Sequence, residues 1–338
     1  MHDDILKLAL DLSRTTGEKI GSIDKIMVKT QILSMNARLE AARAGTAGKS
    51  FAIVAQEMGN VTDEVSALSS DLHATISENA ARIEAAGRQM MVDFKGKRFA
   101  DIARNAVEII DRNLYERSCD VRWWATDSAV VDAVQKPTSE ARTYASSRLA
   151  TILRSYTVYL DLWIADARGV IVANGRPDRY GGVVGQNVSG SEWFRKGMST
   201  YSGDDFAVCD IDQSAALANA QVATYSTAIR ADGDASGKPL GVLGIFFDWE
   251  PQATDIVRGV SLGAEEAKTT RVMLLNGSHR IIASSTPYTA GEIYPLQPTE
   301  NCGFYQRGKK LISYALTPGY ETYKGLGWYG CIEAKLTD

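Results

Sequence analysis

The sequence predicts a mixed α and α/β chain: an N-terminal antiparallel helical hairpin, expected to pair with a second copy as a dimeric four-helix coiled coil, then a long helix packed on two antiparallel α+β subdomains. Three observations predict it. No proline occurs between Lys7 and Gln135, and that stretch is rich in Ala, Leu, Glu, Arg and Ile, residues that favour helix. At Val158 the hydrophobic period changes from helical to alternating. The strand, turn and return strand that begin there recur about 110 residues later, which marks an internal duplication.

In the hairpin, apolar residues after Phe51 fall at Met58, Val61, Val65, Leu68, Leu72, Ile76, Ile83, Ala86 and Met90, mostly in steps of three and four. That spacing is a coiled-coil seam. Between the two helical runs lies Ala44-Gly45-Thr46-Ala47-Gly48-Lys49, whose two glycines supply the backbone angles of a tight reversal. Each arm of such a hairpin keeps an apolar stripe that a second copy buries best. A homodimer is therefore expected.

Lys136-Pro137 ends the helical run, and a further helix leads through Arg142 to Tyr156. Val158, Leu160, Leu162 and Ile164 then alternate with Tyr159, Asp161, Trp163 and Ala165, the pattern of a half-buried strand. Asp166-Ala167-Arg168-Gly169 reads as a turn and Val170–Ala173 as the return strand. The second copy has Leu274-Leu275, the turn Asn276-Gly277-Ser278-His279, and the return strand Arg280–Ala283. Each copy reads as an antiparallel sheet of about five strands with helices to one side.

From Ala173 to Ser226 is 53 residues, and from Ala283 to Ser313 is 30, so the first copy carries 23 more. Long loops over a rigid sheet are where pockets gather, which places the expected ligand site in the first copy. The spans are a hairpin at 1–95 with its tip at 28–58, connecting and long helices at 96–157, a first, ligand-binding subdomain at 158–260, and a second at 261–338.

Composition excludes several functions. Lys plus Arg number 37 against 41 Asp plus Glu, for a net charge of -4, so there is no positive field for nucleic acid. Cys119, Cys209, Cys302 and Cys331 have no zinc-type or disulfide-framework spacing, and no metal is expected. A phosphate-binding loop and a GxSxG elbow are absent, and His2, His73 and His279 lie far apart. No catalytic residue and no cofactor is expected, and the chain does not read as an enzyme. The run MHDDILKLALDL has acids where a signal peptide needs basic residues, and no apolar run approaches ~18 residues. Taken as a complete gene product, the chain is expected to be cytoplasmic with no membrane span.

Two stretches carry family resemblances. Ile32-Leu33-Ser34-Met35-Asn36-Ala37-Arg38-Leu39-Glu40-Ala41-Ala42-Arg43-Ala44-Gly45, continued by Gly48-Lys49-Ser50-Phe51-Ala52-Ile53-Val54-Ala55-Gln56-Glu57-Met58, resembles the hairpin tip of methyl-accepting chemotaxis proteins, over about residues 20–65. The resemblance implies a tip that binds the chemotaxis adaptor protein and histidine kinase. It places the polar contacts on Asn36, Glu40 and Arg43 and the apolar ones on Ile32, Phe51 and Ile53. Val28, Thr46 and Ser50 depart from the family pattern, and no adjacent Glu or Gln pair has the spacing of methylation sites, so adaptation by methylation is not expected. The rival reading is a ligand-binding dimer whose hairpin only oligomerises.

About residues 100–338 resemble the double Cache domain of bacterial receptors, a long helix on two PAS-like sheets. The markers are Ala165-Asp166-Ala167-Arg168-Gly169, Trp193-Phe194 after Val188-Ser189-Gly190, Gly241-Val242-Leu243-Gly244-Ile245, and Pro318-Gly319-Tyr320-Glu321-Thr322-Tyr323. The resemblance implies a small-molecule ligand. Where the amino-acid-binding branch has Arg, Tyr and Asp, this chain has Ser191, Gln186 and Phe246, which disfavours an ordinary amino-acid receptor. The candidate ligand residues are Trp193, Phe194 and Tyr225 as aromatic walls, with Asp210, Asp212 and Asp248 as acceptors. Such a set suits a cationic or neutral ligand. Trp123 and Trp124 point about 100° apart on a helix and are expected to anchor the long helix to its sheet, as the linker where the two halves meet.

Overall fold

Helix α1 (His2–Arg43) runs into a one-turn 3-10 helix (Gly45–Gly48) and then into α2 (Lys49–Trp124), 42 and 76 residues of helix on either side of the reversal. These elements come from a computed structural model that describes residues 2–336. Residue 1 and residues 337–338, the outer ends of the first and last expected spans, lie outside the described residues. The chain divides into two units, Met1–Phe94 and Lys95–Asp338, and passes from one to the other within α2.

In the hairpin unit the two glycines of the reversal serve different ends. Gly45 has φ +61°, the left-handed region that suits glycine. Gly48 is needed for space: a Cβ there would stand 2.1 Å from the Ala41 carbonyl oxygen. The expectation of unusual backbone angles at both therefore holds for Gly45 alone. Ser34, Ala41, Gly48, Ala55, Thr62 and Ser69 are buried, each seven residues from the next, and Ile20 extends the row by two further heptads. Across the turn Ser34 donates its hydroxyl to the Ala55 carbonyl (2.7 Å), and Ser69 donates to Asp24.

The seam between the arms is thus made of small side chains, which lets the helices approach closely. The larger apolar residues of the expected seam, Val61, Leu68, Leu72, Ile83 and Met90, are exposed on the single chain. Their heptad spacing belongs to a surface that the hairpin's own partner arm does not cover.

In the second unit, α3 (Ser128–Gln135) and α4 (Ser139–Ser155) are capped by the side chains of Asp127 and Thr138, which accept from Ala129 and Ala141 N–H. Strands β1 (Tyr159–Asp166), β2 (Ile171–Asn174), β3 (Ala207–Ser214), β4 (Ala220–Arg230) and β5 (Pro239–Asp248) follow, with α5 (Glu192–Met198) between β2 and β3. Helices α6 (Trp249–Arg258) and α7 (Ala264–Thr269) lead to β6 (Thr270–Leu275), β7 (Ile281–Ser284), β8 (Cys302–Arg307), β9 (Lys310–Leu316) and β10 (Tyr329–Lys335). The antiparallel sheets have orders β2-β1-β5-β4-β3 and β7-β6-β10-β9-β8, the same order twice. These are the two duplicated α+β subdomains that the recurring strand pattern predicts. Among the described residues no helix is long and apolar enough to cross a membrane.

The part of α2 from Lys95 onward lies along one face of both sheets. Ser313 donates to the Gly96 carbonyl (3.1 Å), and a Cβ on Gly330 would meet the Ala103 carbonyl oxygen at 2.4 Å. Further along α2, Asp120 accepts from the Tyr159 hydroxyl, and Arg117 lies over the Tyr159 and Phe247 rings. With α2 on one face and α5 on the other, β1 is buried along seven of its eight residues. The alternation that suggested a half-buried strand therefore reports two buried faces, one of them lined by aromatic side chains and a carboxylate. The tryptophan pair is split as helix geometry requires: Trp124 is 5% exposed and packs edge-on to Tyr156 and Tyr159, whereas Trp123 is 70% exposed. The anchor is Trp124. Neither residue is a linker between the halves, because the hairpin unit ends at Phe94.

Candidate functional site

Most of the extra residues of the first copy lie at α5, in the segment from it to β3, and in a longer β3–β4 hairpin, and the loop 175–191 and α5 lie on the face of the first sheet opposite α2. Trp193 of α5 rests on Gly244, where a Cβ would meet its ring at 2.8 Å, and Ser226 donates to the Trp193 carbonyl (2.7 Å). Its indole joins an aromatic cluster: Trp163 to Phe246 at 4.0 Å between ring centres, Trp193 to Phe246 at 5.6 Å, Trp193 to Phe194 at 6.1 Å. Trp193 and Phe194 are both buried in the core of this face.

Beside that cluster lies a carboxylate. Asp161 of β1 is fully buried, and five N–H groups donate to it. Leu162, Gly175 and Arg176 N–H reach Oδ1 at 2.8–3.0 Å, and Trp163 Nε1 and Asn174 Nδ2 reach Oδ2 at 2.9 Å. Burial still pushes its pKa up, against the pull of those donors, led by Asn174 and Trp163. Two buried polar atoms next to it have no hydrogen-bond partner, Asn174 Oδ1 and the Tyr180 hydroxyl. Arg179 stacks on the Tyr180 ring at 5.1 Å. Unpaired buried polar groups are rare and costly, and here they sit at the edge of an aromatic face. Asp161, Asn174 and Tyr180 were not among the expected residues. The signal was a carboxylate on an otherwise apolar strand, Leu160-Asp161-Leu162.

The other expected ligand residues do not converge on this face. Tyr225 points to the α2 side, stacked with Phe206 and 3.5 Å from the Tyr323 hydroxyl of the second subdomain. Asp210 joins the two subdomains, accepting from Asn276 Nδ2 (2.7 Å) and Trp328 Nε1 (3.1 Å). Asp212 is exposed and lines a hollow of about 120 Å³ with Arg280 and Tyr288. Of the three expected acids, Asp248, at the head of α6, is the one near the aromatic face. Burial raises its pKa, Glu250 adds to that, and Arg179 and Arg176 oppose it.

A second carboxylate ties α2 to the second subdomain. Asp111 Oδ2 accepts from Gly319 N–H (2.7 Å) in the β9–β10 loop, while Oδ1 is buried without a partner. Burial pushes its pKa up to about 6, with the Gly319 bond opposing and Glu108 adding. A raised carboxylate pKa means that the folded chain holds the proton more tightly than the unfolded one. Stability then falls as pH rises from about 4 to about 6 and stays lowered above that, by up to ~3 kcal/mol. Asp111→Asn keeps an acceptor for Gly319 and is expected to stabilise the chain at pH 7.5 while flattening its pH dependence. Unfolding midpoints of both chains between pH 4 and 8 check this, and parallel profiles would rule it out.

On the hairpin, Ile32, Asn36, Glu40 and Arg43 lie on α1 at i, i+4, i+8 and i+11, which is one helix face, and Phe51 and Ile53 begin α2. All six are exposed, with Ile32, Phe51 and Ile53 at 51%, 58% and 71%. Arg43 pairs with Glu40 at 3.3 Å across solvent, a contact worth little. Leu39, seven residues after Ile32, and Val54 add to the apolar surface. The spacing from Ile32 was the signal for Leu39.

Residues 7–115 match the methyl-accepting chemotaxis protein (MCP) signalling domain. The methyl-accepting chemotaxis aspartate transducer of Klebsiella aerogenes is 32% identical over 115 residues, 33% of this chain and 21% of that protein. The frizzy aggregation protein FrzCD of Myxococcus xanthus is 34% identical over 120 residues, 34% of this chain and 28% of that protein. The chain thus spans between about a fifth and three tenths of the length of these relatives. The likeness to solved structures is one of fold. The sensor domain of the V. cholerae histidine kinase DctB superposes with a TM-score of 0.51 at 12% identity, covering 74% of this chain and 99% of that one. The ligand-binding domain of the Campylobacter jejuni chemoreceptor Tlp3, solved with L-valine, gives 0.51 at 17% identity, covering 73% and 95%. The fold of the second unit is that of Cache-type sensor domains.

Proposed function

We propose that the chain is a chemotaxis transducer-like sensor, a homodimer that binds a small molecule in its first Cache subdomain and relays binding through the hairpin to a chemotaxis adaptor protein and histidine kinase. The observation that carries the reading is the tip. Six residues of the MCP-like pattern stand in solvent on a hairpin whose own seam is filled by small side chains. The exposed Val61, Leu68 and Leu72 supply the surface for a second copy. On this reading the chain is not an enzyme. Its ligand sits on the α5 face, where the Tyr180 hydroxyl and Asn174 Oδ1 lack partners and the aromatic rings with Asp161 and Asp248 favour a neutral or cationic compound.

Two measurements test it. The purified chain is expected to capture adaptor and kinase, and Phe51→Asp and Arg43→Ala to weaken capture by about tenfold or more with the dimer mass unchanged in sedimentation. A wild-type chain that is dimeric and captures neither protein would leave the hairpin as an oligomerisation module. In a metabolite thermal-shift screen the ligand is expected to stabilise the chain by about 2.7 kcal/mol at a hundredfold excess over its Kd. Tyr180→Phe, which removes an unpaired hydroxyl and no contact, is expected to reduce that shift. An unchanged shift would move the ligand off this face.

A further inference from the structure

Where α2 ends, a cavity of about 250 Å³ is lined by Arg122, Trp123, Asp204, Arg230 and Asp234, among others. None of the residues of the α5 face takes part in it. Arg230, the last residue of β4, is 6% exposed. Its guanidinium donates to the Gly237 and Thr200 carbonyls, and Nε has no partner. Neither acid on the lining pairs with it. Asp204 offers its backbone carbonyl to Arg122 (3.2 Å), and Asp234 accepts from the backbone and hydroxyl of Ser236.

A guanidinium carries five donors. Two carbonyls here satisfy part of that set and none of the charge. Burying a cation without a counter-charge costs several kcal/mol, and the planar fork is shaped for a carboxylate. The wall beside it is Trp123, whose indole is 70% exposed while Trp124 next to it does the anchoring. A large exposed aromatic beside a buried guanidinium is a surface for an apolar ligand body.

We propose that this cavity is a ligand site for a small monocarboxylate, with the carboxylate on Arg230 and the apolar body against Trp123. The volume lies below that of drug-sized pockets, which limits the ligand to metabolite size. Asp204 and Asp234 at the rim repel a second negative charge and select against polyanions.

The test uses the full chain and three probes of one shape: benzoate, benzamide and benzylamine, followed by ligand-observed NMR. Benzoate is expected to bind saturably in the millimolar range or tighter, with benzamide and benzylamine at least about tenfold weaker. Trp123→Ala changes no buried contact and is expected to weaken benzoate by about tenfold with the melting curve unchanged. Arg230→Gln is expected to remove the preference for benzoate over benzamide. Because Arg230 also ties Thr200 to Gly237, the Trp123→Ala result stands on its own if that variant fails to fold. Equal binding of benzoate and benzamide, benzoate affinity unchanged by Trp123→Ala, or no saturable benzoate binding overturns the proposal.

Discussion

Asp161→Ala is expected to cost the first subdomain at least about 4 kcal/mol, enough to unfold it under conditions that the native chain tolerates. Five N–H donors converge on this carboxylate, and the surroundings bury them. Removing one acceptor from buried donors costs about 1–3 kcal/mol for each group left unpaired, and a domain's whole stability is about 5–15 kcal/mol. The loss is concentrated at β2 and the loop after it, since Asn174, Gly175 and Arg176 hang on Asp161. Faster hydrogen exchange over residues 171–190 and a lower urea midpoint are the expected readings. Asp161→Asn retains one acceptor oxygen and is expected to fall between the two. A midpoint within about 1 kcal/mol of the native chain would sink this account.

Gly48→Val is expected to disorganise the hairpin tip, at a cost of about 3 kcal/mol or more. The new Cβ would stand 2.1 Å from the Ala41 carbonyl oxygen, 2.9 Å from its carbonyl carbon and 3.0 Å from its Cα. All three are backbone atoms of a helix, so no rotamer change relieves the clash. Overpacking of this kind ordinarily costs 1–3 kcal/mol, and a rigid neighbour puts it at the upper end. Gly17 provides the contrast. It too is in the hairpin, nothing lies within 4 Å of its would-be Cβ, and Gly17→Ala is expected to stabilise α1 by about 0.5–1 kcal/mol. Exchange rates at residues 38–55 separate the two variants, and a tip in Gly48→Val as protected as in the native chain would refute the close-approach argument.

Much of the fold was legible because local patterns and tertiary packing agree. The proline-free run, the reversal at Gly45 and Gly48 and the repeated strand–turn–strand each rest on backbone geometry that neighbouring residues dictate. The tip residues came from the family resemblance, and what the structure adds is that all six are exposed on the single chain. The ligand residues were much less legible. Alternation along β1 shows which side chains share a face, yet it does not say that both faces are covered, so Asp161 read as one more polar position.

The sequence by itself determined a helical hairpin joined to a duplicated pair of sheets, because helical period, strand period and internal repetition are properties of order along the chain. Only the tertiary structure decided which face of the first sheet each residue reaches. It sent Trp193 and Tyr225 to opposite sides, made Asp210 a tie between the subdomains, and left Asn174, Tyr180 and Arg230 with unpaired polar atoms. Those outcomes depend on which distant segments lie above a given strand, and burial and hydrogen bonding are set by that neighbour, which no local pattern contains.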